Sequence, residues 1–202
     1  MADFGMPPTG DEIKEVIGRR LRQAIRDESA KVTIDWRGEQ KHLHVISMPV
    51  DMLYYNPDTH RIRAQRALDP ERDRAIQEQP WGQMAQDYLH DLLKRRPANP
   101  DQVDPEFVSL MEELDDSGQR EPGIVSPQGI LVDGNTRAAA LRDLGVQNIR
   151  VAVLPDDTVR QDINDVELSL QLPNRRLPHP WAPNRLSAPA EELARGRTET
   201  DV

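Results

Sequence analysis

Residues 130–145 read Ile130-Leu131-Val132-Asp133-Gly134-Asn135-Thr136-Arg137-Ala138-Ala139-Ala140-Leu141-Arg142-Asp143-Leu144-Gly145. A short apolar strand runs into a turn that Gly134 permits, and the pattern switches at once to an Ala-rich helix from Thr136 to Leu144. Gly145 stands in the usual position for a left-handed helix stop. The first N–H groups of such a helix have no partner within it, and the aligned peptide dipoles add partial positive charge there. Gly134 lets a ligand approach the backbone, Asn135 and Thr136 offer small polar groups, and Arg137 carries a guanidinium suited to bidentate phosphate contact. Asp133, at the strand end, orders the turn or helps to hold a metal-bound phosphate. The same residues also make a sound helix start without any ligand, with Asn135 or Thr136 as the cap. Neither of the common glycine-rich phosphate loops occurs in the chain.

Outward from this turn, strands and helices are intermixed. Ile124-Val125 is a short strand before a Ser126-Pro127-Gln128-Gly129 turn, and Ile149, Val151 and Val153 alternate as another strand. Val159, Ile163, Val166 and Leu170 mark a later helix. Upstream, Asp104-Pro105 is an N-cap followed by proline at the first helical position; Phe107, Leu110, Met111 and Leu114 form that helix's apolar face, and Gly118 stops it. Trp81, Met84, Ala85, Tyr88, Leu89, Leu92 and Leu93 form the strongest apolar stripe, ended by Pro97 and suited to the core or to a partner subunit. Val32–Trp36 and Leu43–Ile46 flank Arg37-Gly38-Glu39-Gln40 as a hairpin, and Asn56-Pro57 sits in a loop running to Arg61. Thr9-Gly10-Asp11-Glu12 reads as a capping box for a first helix reaching about Asp27.

The regular strand–helix alternation of a doubly wound fold is missing, so the expected class is α+β: a small mixed β-sheet with packed helices. The expected organisation is an N-terminal amphipathic helix in 1–30, a domain over 31–172 with a helical insertion at about 70–100, and a Pro-rich arm over 173–202. Five prolines between Pro173 and Pro189 bar helix or central strand from that arm, which carries Arg175, Arg176, Arg185 and the single large contact residue Trp181.

No cysteine occurs among the 202 residues, which removes disulfides, thiolate zinc sites and thiol nucleophiles. No run is apolar enough to span a membrane, and a soluble cytoplasmic protein is expected. A net charge of −9 repels nucleic acid on average, so DNA is a weak candidate partner that would need a local basic patch. Arg61-Ile62-Arg63, Lys94-Arg95-Arg96 and Arg175-Arg176 are the stretches that would supply one. His42 and His44 share a strand face, with His60 as a third imidazole for a metal, but Lys41 and Leu43 bring no carboxylate to them.

The order of motifs resembles a known family. Gly118, Pro122-Gly123-Ile124-Val125, Asp133-Gly134-Asn135-Thr136-Arg137, Ala138-Ala139-Ala140-Leu141, Leu144-Gly145 and Ile149-Arg150-Val151 follow one another as in the N-terminal domain of ParB partition proteins. Ile46 to Arg61 resembles that family's opening strand and its Asn-Pro…Arg loop. The chain is thus similar to the ParB/sulfiredoxin-like superfamily over about half its length.

That resemblance implies a nucleotide pocket between the Gly-x-x-Arg turn, the Gly…Pro loop and a later helix. The implied binding residues are Asn56, His60, Arg61, Gly118, Gly134, Asn135, Thr136 and Arg137, and the carboxylates nominated for catalysis are Glu121, Asp133 and Glu167. The implied cofactors are a nucleoside triphosphate, CTP or ATP, with Mg2+. The function that follows is an NTP-binding switch in a DNA-associated process, with or without NTP hydrolysis. A metal-dependent nuclease and a non-catalytic assembly module remain as alternatives. Homodimer or protein contacts are expected through the 81–93 helix and the Pro-rich arm. Two departures stand out: Asn135 occupies the place of the sulfiredoxin cysteine, and Thr136 stands where partition proteins carry a second arginine. Glu167-Leu168-Ser169-Leu170-Gln171 echoes the family's Glu-Asn-x-x-Arg segment.

Overall fold

A computed structural model of the chain describes residues 5–63, 65, 69–97 and 99–171. The Pro-rich arm, with Trp181 and its arginines, lies outside the described residues.

The expected α+β class is observed. Six strands form one mixed sheet: β1 (Lys31–Trp36), β2 (Glu39–Pro49), β3 (Tyr54–Tyr55), β6 (Gly123–Val125), β7 (Ile130–Asp133) and β8 (Asn148–Val153), in the spatial order β1-β2-β8-β6-β7-β3. Pairing is antiparallel except between β8 and β6 and between β7 and β3. Alternate side chains of the strands feed two cores. On one face Ile34, Trp36, Leu43, Ile124, Val132 and Ala152 pack with Val166 of α7 (Arg160–Gln171). On the other face Ile46, Met48, Leu131, Ile149 and Val151 meet α1 (Gly10–Arg26), α4 (Gln83–Lys94), α5 (Pro105–Ser117) and α6 (Asn135–Asp143). The sheet is therefore sandwiched between α7 and a layer of helices.

Local chemistry explains most element boundaries. The β1–β2 hairpin turns on two residues with positive φ, Arg37 at 51° and Gly38 at 86°, which gives the twist-matched type of two-residue turn. It is tighter than the four-residue turn read from the sequence. Asp104 caps α5, its Oδ1 accepting from Glu106 N at 3.0 Å, with Pro105 opening the helix. Gly145, at φ 69°, ends α6 as expected, with Val146 N donating to Leu141 O at 2.9 Å.

Several expectations need correction. The capping box does not form, because the Thr9 hydroxyl is hydrogen-bonded to Tyr54 Oη at 2.8 Å and caps no N–H of α1. The stripe proposed as a subunit interface is core: Ala85, Tyr88, Leu89, Leu92 and Leu93 are all buried by the chain's own elements, and of the stripe's helical residues only Met84 faces out. Burying each Leu stabilises the fold by about 1.5–3 kcal/mol, so this face is not available to a partner. Trp81 precedes the helix and sets its ring edge-on to Tyr54 at 5.6 Å. Val159 lies just before α7 and is exposed, as is Leu170 within it, so the packing face of this helix is narrower than predicted. The 70–100 region holds α3 (Pro70–Glu78) and α4 and is followed by antiparallel β4 (Arg95–Arg96) and β5 (Asn99–Val103), which the sequence did not suggest.

Two polar clusters fix α6 behind the Asp133 turn. Arg142 donates through Nη2 to Val50 O at 2.7 Å and Leu53 O at 2.6 Å, and lies over the Tyr55 ring. His90 of α4 bridges Tyr55 Oη and Asp143, and Lys94 reaches the same Asp143 carboxylate at 2.7 Å. Burial pushes the Tyr55 hydroxyl up to about 12, so it remains a neutral member of that chain.

Candidate functional site

The connection from β7 to α6 is as sharp as the sequence predicts, but Gly134 rather than Asn135 or Thr136 is the N-cap. Gly134 sits at φ 85°, and a Cβ there would lie 3.2 Å from Gly123 Cα and 3.4 Å from Arg137 Nη1. The glycine is thus required by the close approach of its own chain at Gly123, before any ligand is considered. Among the described residues no side chain caps α6, so its first-turn N–H groups have no side-chain acceptor there.

Asn135 has an internal task. Its Oδ1 accepts from Asn56 N at 3.0 Å and its Nδ2 donates to Leu131 O at 3.1 Å, which rivets the Asn-Pro loop to the strand end. Asn56 in turn accepts from Asp58 N through its side chain, forming a local Asx turn. The short helix α2 (His60–Arg63) follows, and the His60 N–H donates to Glu167 Oε1 at 3.0 Å.

These elements enclose a cavity of about 300 Å3 lined by Thr59, Arg61, Leu93, Leu110, Val132, Asp133, Gly134, Asn135, Thr136, Arg137, Glu167 and Leu170. Seven of the nominated residues therefore converge: Arg61, Asp133, Gly134, Asn135, Thr136, Arg137 and Glu167. Four do not line it. Asn56 faces a neighbouring cavity, His60 takes part through its backbone, and Gly118, at φ 67°, ends α5. Glu121 is a solvent-facing carboxylate, 85% exposed and 3.7 Å from Arg137 Nη2. Thr59 and the apolar rim of Leu93, Leu110 and Leu170 were not foreseen. Their spacing marked them as packing residues, and only the tertiary fold brings three separate helices to one opening.

The charges in this cavity are unevenly paired. The Arg137 side chain is only 20% exposed, and among the described residues its one ion-pair contact is the long one to Glu121. Its Nη1 is buried without a hydrogen-bond partner among the described residues. Arg61 donates through Nη2 to Asp104 Oδ2 at 2.6 Å, while its Nε is likewise buried and unpartnered. A buried guanidinium short of acceptors costs free energy, which an anion in the cavity would offset.

On the facing helix, burial raises the Glu167 carboxyl above its ordinary value, a rise opposed by the His60 N–H and by the charges of His60 and Arg63. The Asp58 charge adds to the rise.

For a divalent ion, Asp133 and Glu167 are the carboxylates that line the cavity. Among the described residues no group of three His, Cys, Asp or Glu side chains is placed to hold a metal. Two carboxylates suit magnesium that arrives with phosphate oxygens and keeps its waters, rather than a protein-only cage. His42 Nδ1 is hydrogen-bonded to the Thr33 hydroxyl at 2.7 Å within the hairpin.

No family model and no curated protein matches this chain. Among solved structures it is similar to the C-terminally truncated chromosome-partitioning protein ParB from Caulobacter crescentus complexed with CTP-gamma-S. That match has 15% identity and a TM-score of 0.37, over 63% of this chain and 52% of the other. It is also similar to a Pnob8-like ParB-N domain, at 11% identity and a TM-score of 0.38, over 64% of this chain and 37% of the other. The chain spans about half the length of the first of these structures and about a third of the second.

Proposed function

We propose that this chain is a ParB-like nucleotide-binding module that takes the phosphates of a nucleoside triphosphate, with Mg2+, at the Asp133–Arg137 turn. The observation that carries this reading is the pair of arginines in one cavity, Arg137 and Arg61, each with a buried N–H that has no acceptor among the described residues. The uncapped start of α6 lies against the same cavity and adds N–H donors and dipole charge. The order of motifs in the sequence, which resembles partition proteins, supports a nucleotide as the source of the phosphates.

In this reading Arg137 and the α6 N–H groups hold phosphate oxygens, and Arg61 adds a second guanidinium from the opposite wall. Asp133 and Glu167 would hold the magnesium-bearing side of the polyphosphate, where the ion supplies charge neutralisation. Thr136 contributes a hydroxyl where a second arginine would give more charge, so affinity rests chiefly on Arg137. Glu121, paired loosely with Arg137 in the free protein, would lose that contact when a phosphate takes its place. The role as a switch in a DNA-associated process, and the choice between CTP and ATP, belong to the same proposal.

A thermal-shift screen of CTP, ATP, GTP and ADP, each with and without magnesium, tests it. Binding stabilises the folded state by about 2.7 kcal/mol at a ligand concentration a hundredfold above the dissociation constant. A melting temperature that rises with one triphosphate in a dose-dependent way is the expected result. No shift with any nucleotide at millimolar concentration would remove the reading.

A further inference from the structure

The six-stranded sheet has two edges, and they are finished differently. At one, β3 is two residues long and Gln86 of α4 closes it: Oε1 accepts from Tyr55 N at 2.9 Å and Nε2 donates to Tyr55 O at 3.3 Å. At the other, β1 is six residues long and is paired, among the described residues, on one side only, with β2. An edge strand of that length is a template for a further strand.

The register shows which backbone groups face the open side. Val45 N donates to Ala30 O at 2.9 Å, one step along the ladder from the Lys31–His44 pair. Hydrogen-bonded and non-hydrogen-bonded pairs alternate along an antiparallel ladder, so Ala30, Val32, Ile34 and Trp36 turn their N–H and C=O groups to β2. Lys31, Thr33 and Asp35 turn theirs to the open edge. The side chains of these three are exposed. Ile34 and Trp36 are buried with Val166 of α7, and Val32 packs partly buried against them.

A second copy of the same edge, antiparallel about a two-fold axis, is the symmetric partner for such a strand. Lys31-Val32-Thr33-Ile34-Asp35 is self-complementary in that arrangement. With the axis at Thr33, Lys31 stands opposite the partner subunit's Asp35, and Asp35 opposite the partner subunit's Lys31. Val32 then meets the partner subunit's Ile34, which carries the apolar row across the junction. Neighbouring registers lose this match. An axis at Lys31 or Asp35 sets that charge against itself, and one at Ile34 sets Lys31 against Arg37. An axis at Val32 leaves both charges facing uncharged residues.

We propose that β1 is a self-association edge, where two copies of this chain join their sheets antiparallel about Thr33 through two Lys31–Asp35 pairs. About six backbone hydrogen bonds over one short strand make a small interface, so the dimer is weak, with a Kd of about 10–300 µM. The interface stands apart from the nucleotide reading, since none of its residues lines the Asp133–Arg137 cavity.

The chain has no cysteine of its own, so introduced thiols report the register in the full-length protein. Facing residues of a hydrogen-bonded pair have Cα atoms about 5.5 Å apart, within disulfide reach. Gln40 is exposed on β2, one strand further in, where two copies stand at least three strand spacings, about 14 Å, apart. Under mild oxidation Thr33→Cys is expected to form a covalent dimer at least about tenfold faster than Gln40→Cys.

Sedimentation equilibrium over about 10–500 µM gives the second readout, with wild type passing from monomer towards dimer. Lys31→Asp and Asp35→Lys each set like charges opposite one another and should weaken self-association about tenfold or more. An equimolar mixture of these two variants restores opposite charges at both pairs and should associate as wild type does. Circular dichroism melts verify that every variant folds. The inference is overturned by a wild type that stays monomeric at about 500 µM, or by Thr33→Cys cross-linking no faster than Gln40→Cys. A mixture that associates no better than either charge variant alone overturns it equally.

Discussion

Arg37 and Arg137 face opposite ends of α7, and their surroundings could hardly differ more. Arg37, at the tip of the β1–β2 hairpin, donates through Nε and Nη2 to both oxygens of Asp162 at 2.8 Å and through Nη1 to Asp157 at 2.7 Å. Arg137 meets one exposed carboxylate at 3.7 Å and keeps a buried Nη1 without an acceptor. The carboxylates of α7 follow the same division. Arg37 holds the Asp162 carboxyl below the usual carboxylate range, whereas burial raises Glu167 above it. A guanidinium with its acceptors in place is a fastener. One that lacks them, inside a cavity, is a site for an anion that comes from elsewhere.

Replacing Arg137 by Ala attacks this contrast most strongly. A lost charge-assisted phosphate contact costs about 1.5–3 kcal/mol, a rise of roughly 10- to 150-fold in the nucleotide dissociation constant. The fold should survive, since Arg137 makes so few internal contacts. Calorimetry beside a thermal melt checks both halves, and wild-type affinity in the variant would contradict them.

Gly134→Ala comes next in size and acts on the turn itself. A left-handed alanine costs about 1–2 kcal/mol, and here its Cβ would also press on Gly123. The melting temperature should fall by roughly 2–8 °C for a domain of this size.

Glu167→Gln tests the carboxylate half of the contrast through pH. Because burial raises the Glu167 pKa, its favourable contribution is fully present below its unfolded value and is lost as pH rises through the raised one. Gln keeps an oxygen for the His60 N–H without the charge. The variant should match wild type near pH 4 and become the more stable of the two towards pH 7, as denaturant melts across that range will register. Asp162 carries the opposite sign: its contribution is present above the ordinary carboxylate range and is lost as pH falls through its lowered value. The smallest effect is expected of Arg37→Ala. It should lower stability slightly, in a salt-sensitive way, and leave nucleotide affinity unchanged.

Local chemistry was the legible part of the sequence. The α+β class, the Asp104-Pro105 helix start, the Gly145 stop and the strand–turn–helix at Asp133 all follow from residues adjacent in the chain. Readings that depend on distant partners fared worse. Thr9 had the spacing of a capping box, yet a tyrosine 45 positions away takes its hydroxyl. The α4 stripe had the width of an interface because a buried helix in a small domain needs one just as wide. Within the site, Arg61 and Arg137 could be nominated from their motifs. Their shortage of acceptors could not, since it depends on where Asp104 and Glu121 fall in space. Asn135 looked like a ligand contact or a cap, and its bridge between Asn56 and Leu131 needed the fold to appear.

Arginine side-chain NMR puts the central claim to the most direct test. With 15N-arginine incorporated, the Nε–H and Nη–H signals of Arg37, Arg61 and Arg137 are assigned by single substitutions and followed as inorganic tripolyphosphate with magnesium is added. The Arg137 and Arg61 signals should shift together and saturably, with the Arg37 signals unmoved. If the Arg37 signals move while those of Arg137 stay fixed, or if none moves, the cavity at the Asp133–Arg137 turn is not a phosphate site.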